Sequence, residues 1–558
     1  MVATLLITWA ASSHSIHTGV GIGRSRVQHF LYASLSNPLT TPRRKGGGWS
    51  SNQLFCTASL IVNRNNSQGK KRNPAKPVDK SKINSNVSPH RAASAVRLLR
   101  IEQGGAFADL LNADYRESAI DDEMDYIQRT LGFRTNPLDA RNTRLVTDIV
   151  AGVVRWKRYL DYLIFSLYDG AKNVKDMEPL LQQILRIGVY EIVKLGMPPY
   201  AVVNENVTLA RAALRAGAGN MVNGILRRVA SDREKDMLPL PKVEGDDRSK
   251  ARALSVKYSH PVWMIRRWMT YLGQEGAIQL MEWNNSPPSF SLRANSGRGV
   301  SRDDLVLLLK KLNVQHELSP HMTEFVRLST GLQSVIQAGL LKEGMCAVQD
   351  EGAGLVVSVV DPQPGETIID CCAAPGGKAL FMASRLQGQG SVIAIDVNQG
   401  RLRVLEEAAK VQALEGVVNA CQDDIRSFAV GASIRADKVL LDAPCSGLGV
   451  LCKKPDMRWK RTLKDLEQLI LLQDELLDAA SLLVKPGGIL VYSTCSVDPG
   501  ENKERVESFL TRHPEFIVEA VHKYVPNEFI SEEGFYTSHP TKHFLDGAFA
   551  ARLFRVSI

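Results

Sequence analysis

Residues 367–386 carry the pattern that most constrains what this chain can fold into. A β-branched apolar run over residues 367–369 ends at Asp370, and the small-residue turn Cys371-Cys-Ala-Ala-Pro-Gly-Gly-Lys follows. A helix-like segment from Ala379 to Leu386 comes next. A strand, a glycine turn and a helix in this order open the doubly wound nucleotide-binding folds. The glycines allow positive φ and close approach of a ligand, and the helix N-terminus offers free N–H donors.

A second apolar strand strengthens the prediction of a nucleotide-like ligand. It spans Ser391 to Ile395 and ends in Asp396, twenty residues after Gly376, the interval at which these folds place an acid on ribose hydroxyls. The turn is not G-x-G-x-x-G, so no pyrophosphate-binding pattern is present. A nucleoside without phosphates therefore fits better, and S-adenosylmethionine is the common one. The alternative is a tight strand–helix turn that binds no ligand.

Residues 344–556 alternate strand-like and helix-like segments with short loops, which favours a mostly parallel sheet. Beyond the two strands above, the predicted elements are strands at Val417–Gln422, Lys438–Leu441 and Gly488–Ser493, and helices at Asn398–Leu414 and Leu463–Leu483. In such sheets ligands bind beyond the carboxyl ends of the strands.

Two thiols follow neighbouring strands of this predicted sheet. Asp442-Ala-Pro-Cys445 ends one strand and Thr494-Cys495 ends the next. A thiolate that adds to carbon 6 of a pyrimidine activates carbon 5 for methylation, and a second group must then remove the carbon 5 proton. Cys495, Cys445 and Asp442 match the required nucleophile, base and partner for the ring N3. The alternative is that both cysteines are small buried hydrophobes.

Three further regions precede this domain. Residues 88–232 have helical periodicity only and predict an all-α domain, residues 233–257 predict a connector, and residues 258–343 predict a small α+β module. Basic residues in the first and third regions are candidates for RNA contacts, or else ordinary surface charge: Arg97, Arg100, Arg155, Lys157, Arg158, Arg227 and Arg228, and Arg266, Arg267, Arg293 and Lys310.

Residues 1–80 predict a transit peptide and a disordered linker. The first 78 residues hold ten Lys or Arg and no acid, which leaves 59 basic against 59 acidic residues in the remainder. The Ser- and Thr-rich start without early charge favours a plastid address over a mitochondrial one, and the alternative is a merely disordered basic tail. Apolar runs are far shorter than a membrane span, so no membrane contact is expected.

Eight cysteines occur, and none forms a C-x-x-C pair near clustered histidines. We therefore expect no metal site and reduced thiols.

The helical region resembles the NusB-type RNA-binding fold. The matching segments begin at Arg144 (RLVTDIVAGVV), Ile184 (ILRIGVYEI), Val203 (VNENV) and Val222 (VNGILRRV).

Residues 344–556 resemble the RNA 5-methylcytosine methyltransferases of the Sun/Fmu superfamily. The motifs are Asp370-Cys-Cys-Ala-Ala-Pro-Gly-Gly-Lys, Asp442-Ala-Pro-Cys-Ser-Gly-Leu-Gly, Lys454-Pro-Asp-Met-Arg-Trp, and Tyr492-Ser-Thr-Cys-Ser-Val with Glu501-Asn. Two positions depart from the family pattern: Ala548 replaces an aromatic residue and Cys371 a leucine. The resemblance implies a Rossmann-like class I S-adenosylmethionine-dependent methyltransferase domain beside the NusB-like domain and the α+β module.

The resemblance also implies roles for individual residues. Cys495 would be the nucleophile, and Cys445 would assist release. The methyl donor would contact the loop Cys372, Ala373, Ala374, Pro375, Gly376, Gly377 and Lys378, together with Asp396, Asp424 and Asp442. Asp424 is preferred to Asp423 because one residue separates it from Gln422, as in the family. The basic segment Lys453, Lys454, Arg458 and Trp459 is a candidate for RNA contact beside a base turned out of its strand, or else a surface loop.

The sequence thus predicts a monomeric, S-adenosylmethionine-dependent enzyme that forms 5-methylcytosine in small-subunit rRNA of a plastid, with the mitochondrion as the alternative compartment. A catalytically silent RNA-binding assembly factor is the second hypothesis. A small-molecule or protein methyltransferase is the third, and it would need neither two cysteines nor an RNA-type helical domain.

Overall fold

A computed structural model describes residues 84–104, 117–168 and 177–557. The predicted transit peptide and most of the linker lie outside these residues. Within the described part of the chain, no helix is both long and apolar enough to cross a membrane.

The N-terminal domain is helical, as predicted. Its helices are α1 Pro89–Gly104, α2 Glu117–Leu131, α3 Ala140–Ser166, α4 Pro179–Val193, α5 Pro199–Ala213 and α6 Ala216–Glu234. Asp139 caps α3 by accepting a hydrogen bond from the Asn142 backbone N–H at 2.7 Å. Apolar side chains at helical spacing form one buried core, in which Ile149, Leu160 and Ile184 are fully buried.

The predicted connector, residues 233–257, contains a helix that was not predicted. Helix α7 spans Asp247–Lys257 and packs against the next helix, α8, at Val262–Asn285. Asp246 caps α7 through the Ser249 backbone N–H at 2.9 Å. Helix α8 breaks at Gly273, whose φ of 70° is a conformation that glycine adopts readily.

The α+β module has an antiparallel sheet in the order β2-β3-β1-β4. Its elements are β1 Phe290–Ala294, α9 Arg302–Lys311, β2 His316–Leu318, β3 Phe325–Leu328, α10 Leu332–Gln337 and β4 Cys346–Val348. Ser301 caps α9 in a reciprocal pair with Asp304. The predicted boundary at residue 343 is wrong, because β4 pairs with β1 and therefore completes the module.

The C-terminal domain is an eight-stranded sheet with helices between its strands. Its elements are α11 Glu351–Val360, β5 Thr367–Asp370, α12 Gly377–Arg385, β6 Ser391–Asp396, α13 Gln399–Val411, β7 Val418–Gln422, α14 Ile425–Gly431, β8 Ala436–Asp442, α15 Met457–Lys460, α16 Leu463–Ser481, β9 Val484–Thr494, α17 Lys503–Arg512, β10 Phe516–Val518, β11 Tyr536–Ser538, α18 Pro540–His543 and β12 Ala548–Arg555.

Five of these strands form the predicted parallel arrangement. The order is β10-β12-β9-β8-β5-β6-β7, with β11 paired to β12, and β12 runs antiparallel to each of its neighbours. Because β5, β6, β7, β8 and β9 are parallel, their carboxyl ends meet along one edge. The predicted site residues all follow these ends.

Candidate active site

Two cysteine sulfurs meet at the ends of neighbouring strands. Cys445 lies in the loop after β8, and Cys495 directly follows β9. Their Sγ atoms are 3.2 Å apart, which is hydrogen-bond contact between two free thiols. Cys445 is buried, whereas Cys495 is partly exposed. The structure therefore brings together the two thiols that the sequence singled out, with Cys495 the more accessible.

The environment distinguishes the two thiols. The hydrogen bond to Cys495 and burial raise the pKa of Cys445 well above that of a free thiol. Either sulfur can be the donor in the hydrogen bond between them. A thiol whose pKa is raised is a strong base once it is ionised.

Asp442 lies at the end of β8, between these thiols and the glycine turn. Its carboxylate accepts hydrogen bonds from Lys378 Nζ at 2.6 Å and from Ser493 Oγ at 2.8 Å. Lys378 is in the first turn of α12 and is buried. The ion pair thus ties the glycine turn to the strand that leads to Cys445.

The predicted donor loop forms the turn between β5 and α12. Gly376 has a φ of 110° and precedes α12, and no side chain caps that helix. Its first N–H groups are therefore available to a ligand. Asp396 lies beside the turn, where its carboxylate accepts from the Ala374 backbone N–H at 3.2 Å and faces Arg401 at 3.6 Å.

Asp370, at the end of β5, was not among the predicted site residues. It is buried, and neither of its carboxylate oxygens accepts a hydrogen bond of ordinary geometry. Burial, with the nearby Asp442 carboxylate adding to it, raises the pKa of Asp370 to about 8. Its place at the end of the strand before the glycine turn was the available signal. An unsatisfied buried carboxyl group here suits a ligand that brings hydrogen-bond donors or positive charge.

Glu501 joins the two cysteine loops, a role that was not predicted, although Glu501 belongs to one of the sequence motifs. Its buried carboxylate accepts from the Ser446 backbone N–H at 2.8 Å, from the Ser446 hydroxyl, and from Gln473 Nε2 at 3.0 Å. The Ser446 hydroxyl lies 3.3 Å from that of Ser496, the residue after Cys495. One carboxylate therefore fixes the residues that follow both thiols.

Three sequence families match this chain. The family described as 16S rRNA methyltransferase RsmB/F matches residues 357–554, and the NusB family matches residues 104–231. A ferredoxin-like domain of RsmF/B-like methyltransferases matches residues 260–334.

Two bacterial relatives decide the family. A probable ribosomal RNA small subunit methyltransferase B of Synechocystis is 34% identical over 460 residues, covering 80% of this chain and 98% of the relative. One of Bacillus subtilis with the same description is 30% identical over 420 residues, covering 75% of this chain and 87% of the relative. The chain belongs to the ribosomal RNA small subunit methyltransferase B family.

A solved structure shows that this family member shares its fold with another protein along most of its length. The crystal structure of the protein PH0851 superposes with a TM-score of 0.66 at 24% identity, covering 84% of this chain and 99% of the other. The helical domain, the small α+β module and the Rossmann-like methyltransferase domain expected from the sequence are thus confirmed, and the α+β module is ferredoxin-like.

Asp424 follows β7 in this family member, at the far end of the row of parallel strands. Its carboxylate caps α14 by accepting from the Arg426 backbone N–H at 2.9 Å, and it also pairs with the Arg426 guanidinium at 2.6 Å. Asp423 instead accepts from the Asp424 backbone N–H. A role for Asp424 toward the methyl donor stays a prediction.

The basic segment after the Pro-Cys motif has partners within the protein, and its RNA contacts stay a prediction. Lys453 is partly exposed and pairs with Asp350 and Asp546, at 2.6 and 2.9 Å, whereas Lys454 is buried. Arg458 is fully buried, and Trp459 donates to the backbone carbonyl of residue 154 at 2.7 Å.

Several basic residues of the other two domains also have internal partners. Arg97 pairs with a glutamate of α2, Arg155 donates to the Cys452 carbonyl at 2.7 Å, and Arg267 pairs with Asp498. Arg293 is buried and donates to two glutamines. These side chains hold elements together through the contacts above, while Arg155 Nε and Arg293 Nη1 are buried without a hydrogen-bond partner. Among the described residues, no group of three His, Cys, Asp or Glu side chains is arranged to hold a metal ion.

Proposed function

We propose that this protein methylates carbon 5 of a cytosine in small-subunit rRNA, through a covalent bond between Cys495 Sγ and carbon 6. The observation that carries the proposal is the 3.2 Å contact of two free thiols beyond the ends of β8 and β9. A methyltransferase that acts on an oxygen or an exocyclic nitrogen needs no such pair, because those atoms are already nucleophilic.

The residues at the strand ends fit S-adenosylmethionine as the methyl donor. It carries a positive charge at its sulfonium, an ammonium group and two ribose hydroxyls. The structure offers three carboxyl groups, those of Asp370, Asp396 and Asp442, and the uncapped N-terminus of α12. The Asp370 carboxyl group, whose oxygens accept no hydrogen bond of ordinary geometry, best supports the binding of a ligand that carries hydrogen-bond donors. When bound, the cofactor supplies an electrophilic methyl group.

The protein's own groups then account for the remaining chemistry. Cys495 Sγ adds to carbon 6, which makes carbon 5 nucleophilic, while Asp442 accepts a hydrogen bond from the protonated N3. After methylation the proton on carbon 5 leaves to the Cys445 thiolate, whose own proton has first been released to solvent, and the electrons of that C–H bond re-form the ring double bond. The bond between Cys495 Sγ and carbon 6 breaks at the same time, and Cys495 departs as a thiolate.

Single cysteine variants test this mechanism. Purified chain, a small-subunit rRNA transcript and S-adenosylmethionine are incubated, and 5-methylcytosine is read by bisulfite sequencing. Cys495→Ala should abolish product because no adduct forms. Cys445→Ala should form the adduct without resolving it, which leaves protein covalently attached to RNA on a denaturing gel.

Cys421→Ala is the matched control, because Cys421 lies on β7 and has no part in the mechanism; its turnover should equal that of the parent. Normal turnover by Cys495→Ala would exclude the covalent route. A chain that binds the cofactor and rRNA without methylating any cytosine would instead be an RNA-binding assembly factor.

We also propose that the protein acts in a plastid. The support is the acid-free, Ser- and Thr-rich segment that precedes Asp79. Fusion of residues 1–80 to a fluorescent protein tests this, and accumulation in mitochondria or the cytosol would contradict it.

A further inference from the structure

A cleft of about 460 Å³ lies where the helical domain meets the connector helix. Its walls come from α3, from residues 241–244 of the connector, from α7 and from the first residue of α8. Three cationic side chains line it: Arg158, Lys242 and Arg252. The one acid that lines it is Glu244. The cleft therefore carries net positive charge.

In the described part of the chain, the three cations that line the cleft lack the ion-pair partners that some other arginines of the helical domain have. Within the described residues, none of the three makes an ion pair or a side-chain hydrogen bond to a carboxylate, whereas Arg91, Arg97 and Arg186 each bind one or more. Lys242 and Arg252 are exposed.

Arg158 is the most informative of the three cations. Its Nε–H is buried without a hydrogen-bond partner. Asp161, the acid whose charge acts on Arg158, already accepts hydrogen bonds from Nε and Nη2 of Arg186, at 2.7 and 2.8 Å. A guanidinium held in a concave site with a free donor lacks an anionic acceptor, and a phosphate fits its fork geometry.

The rest of the lining suits a nucleotide better than a free anion. Tyr162 presents an aromatic ring, while Pro241 and Val262 add apolar surface. Bases of single-stranded RNA stack on such rings while the phosphates bind cations. A membrane surface would need exposed apolar or basic residues on a convex face, and this site is a recess.

The cleft is also connected to the catalytic loop through backbone contacts. The Arg158 backbone N–H donates to the Ser259 hydroxyl at 3.1 Å, and Arg458 donates to the Ser259 carbonyl at 3.1 Å. Arg458 lies thirteen residues after Cys445 in the same loop region. RNA bound in the cleft would therefore contact residues that are hydrogen-bonded, through Ser259, to the active-site loop.

We propose that this cleft binds the phosphate backbone of an unpaired stretch of the substrate RNA, with Arg158, Lys242 and Arg252 as its phosphate ligands and Tyr162 as a stacking surface. This inference rests on the proposed action on rRNA. It adds a second RNA contact, outside the catalytic domain, that secures substrate without touching the reacting base.

The test compares two triple variants of the full chain. The cleft variant carries Arg158→Gln, Lys242→Gln and Arg252→Gln. The control carries Arg403→Gln, Lys410→Gln and Lys523→Gln, which removes three exposed charges from the catalytic domain. The dissociation constant for an unmethylated small-subunit rRNA transcript is measured by filter binding from 50 to 400 mM KCl, and methylation is measured in parallel.

Loss of three phosphate contacts should make the slope of log affinity against log salt shallower by about 2, since each contact on single-stranded RNA contributes about 0.7. That corresponds to about a hundredfold weaker binding at 0.1 M KCl. KM for RNA should rise in step, with kcat at saturating RNA unchanged. Arg158→Lys, which keeps the charge, should retain the parental slope.

The proposal is overturned if the cleft variant matches the control in slope and affinity. It is equally overturned if the cleft variant lowers kcat but leaves binding unchanged, since the residues would then act on structure alone. Because binding is read independently of methylation, an RNA-binding chain without activity would refute the proposed function and leave the cleft testable.

Discussion

Replacement of Glu501 offers a direct test of how the two thiols are held. Glu501→Ala removes the acceptor of the Ser446 backbone N–H and of the Gln473 amide, and both donors are buried. Glu501→Gln keeps one carbonyl oxygen in the place of Oε1 for these two donors. Its new amide N–H can donate to the Ser446 hydroxyl, which rotates to accept.

The two substitutions should therefore differ in size. Each buried donor left unsatisfied costs about 1–3 kcal/mol, so Glu501→Ala should lower the free energy of unfolding by about 2–6 kcal/mol. Glu501→Gln should change it by less than about 1 kcal/mol, because burial raises the pKa of Glu501 and the neutral amide avoids burying a charge. A displacement of about 1 Å between the thiols would reduce kcat about a hundredfold in the alanine variant.

Urea unfolding gives the free energies, and bisulfite-detected methylation under conditions where each variant is folded gives kcat. Trapping of the covalent adduct in a Cys445→Ala background reports on thiol placement independently of stability. Glu501 would have no such role if Glu501→Ala unfolded at the parental urea concentration and formed adduct at the parental rate. The same conclusion would follow if Glu501→Gln lost as much stability and activity as Glu501→Ala.

Three further substitutions test other parts of the site. Between about pH 4 and 8 the folded protein holds a proton on Asp370 that the unfolded chain has lost. The free energy of unfolding should therefore fall by up to about 1.4 kcal/mol for each pH unit of increase. Asp370→Asn should remove this pH dependence, as measured by urea unfolding at a series of pH values. In Gly449→Ala the new Cβ would lie 2.8 Å from the Cys495 carbonyl oxygen, so methylation assays should show a loss of kcat of at least about tenfold; Gly416→Ala, with no atom within 4 Å, should leave kcat unchanged. Arg458→Lys should lower the free energy of unfolding by about 1–3 kcal/mol in urea titrations, because an ammonium cannot reach all the acceptors of the buried guanidinium.

The parallel strands and the residues that follow them could be predicted from sequence because their signals are local. Apolar runs such as residues 367–369 end directly at the functional side chains, and parallel topology then places those ends along one edge. The contact of Cys445 with Cys495 follows from the same two facts. Strands β10, β11 and β12 were not predicted. Strands β10 and β11 are only three residues long, and both pair with β12.

The fate of the basic residues could not be predicted, because charge in a sequence does not reveal burial. Arg458 donates hydrogen bonds to acceptors up to 303 residues away in the sequence. Lys453 pairs with Asp350 and Asp546, which lie about a hundred residues before and after it. Helix α7 was missed for the opposite reason. Its buried side chains are two alanines, one leucine and one serine, so its composition resembles that of a polar linker.

The contact between the helical domain and the catalytic loop constrains the amino-acid sequence of one domain more than that of the other. Arg458 and Trp459 reach backbone carbonyls of residues 154 and 155 in α3, and every residue of a helix carries such a carbonyl. Mutations in α3 can therefore change the side chains at these positions while the acceptors persist. The guanidinium and the indole have no such freedom, so sequence drift at this junction should be tolerated by one domain and resisted by the other.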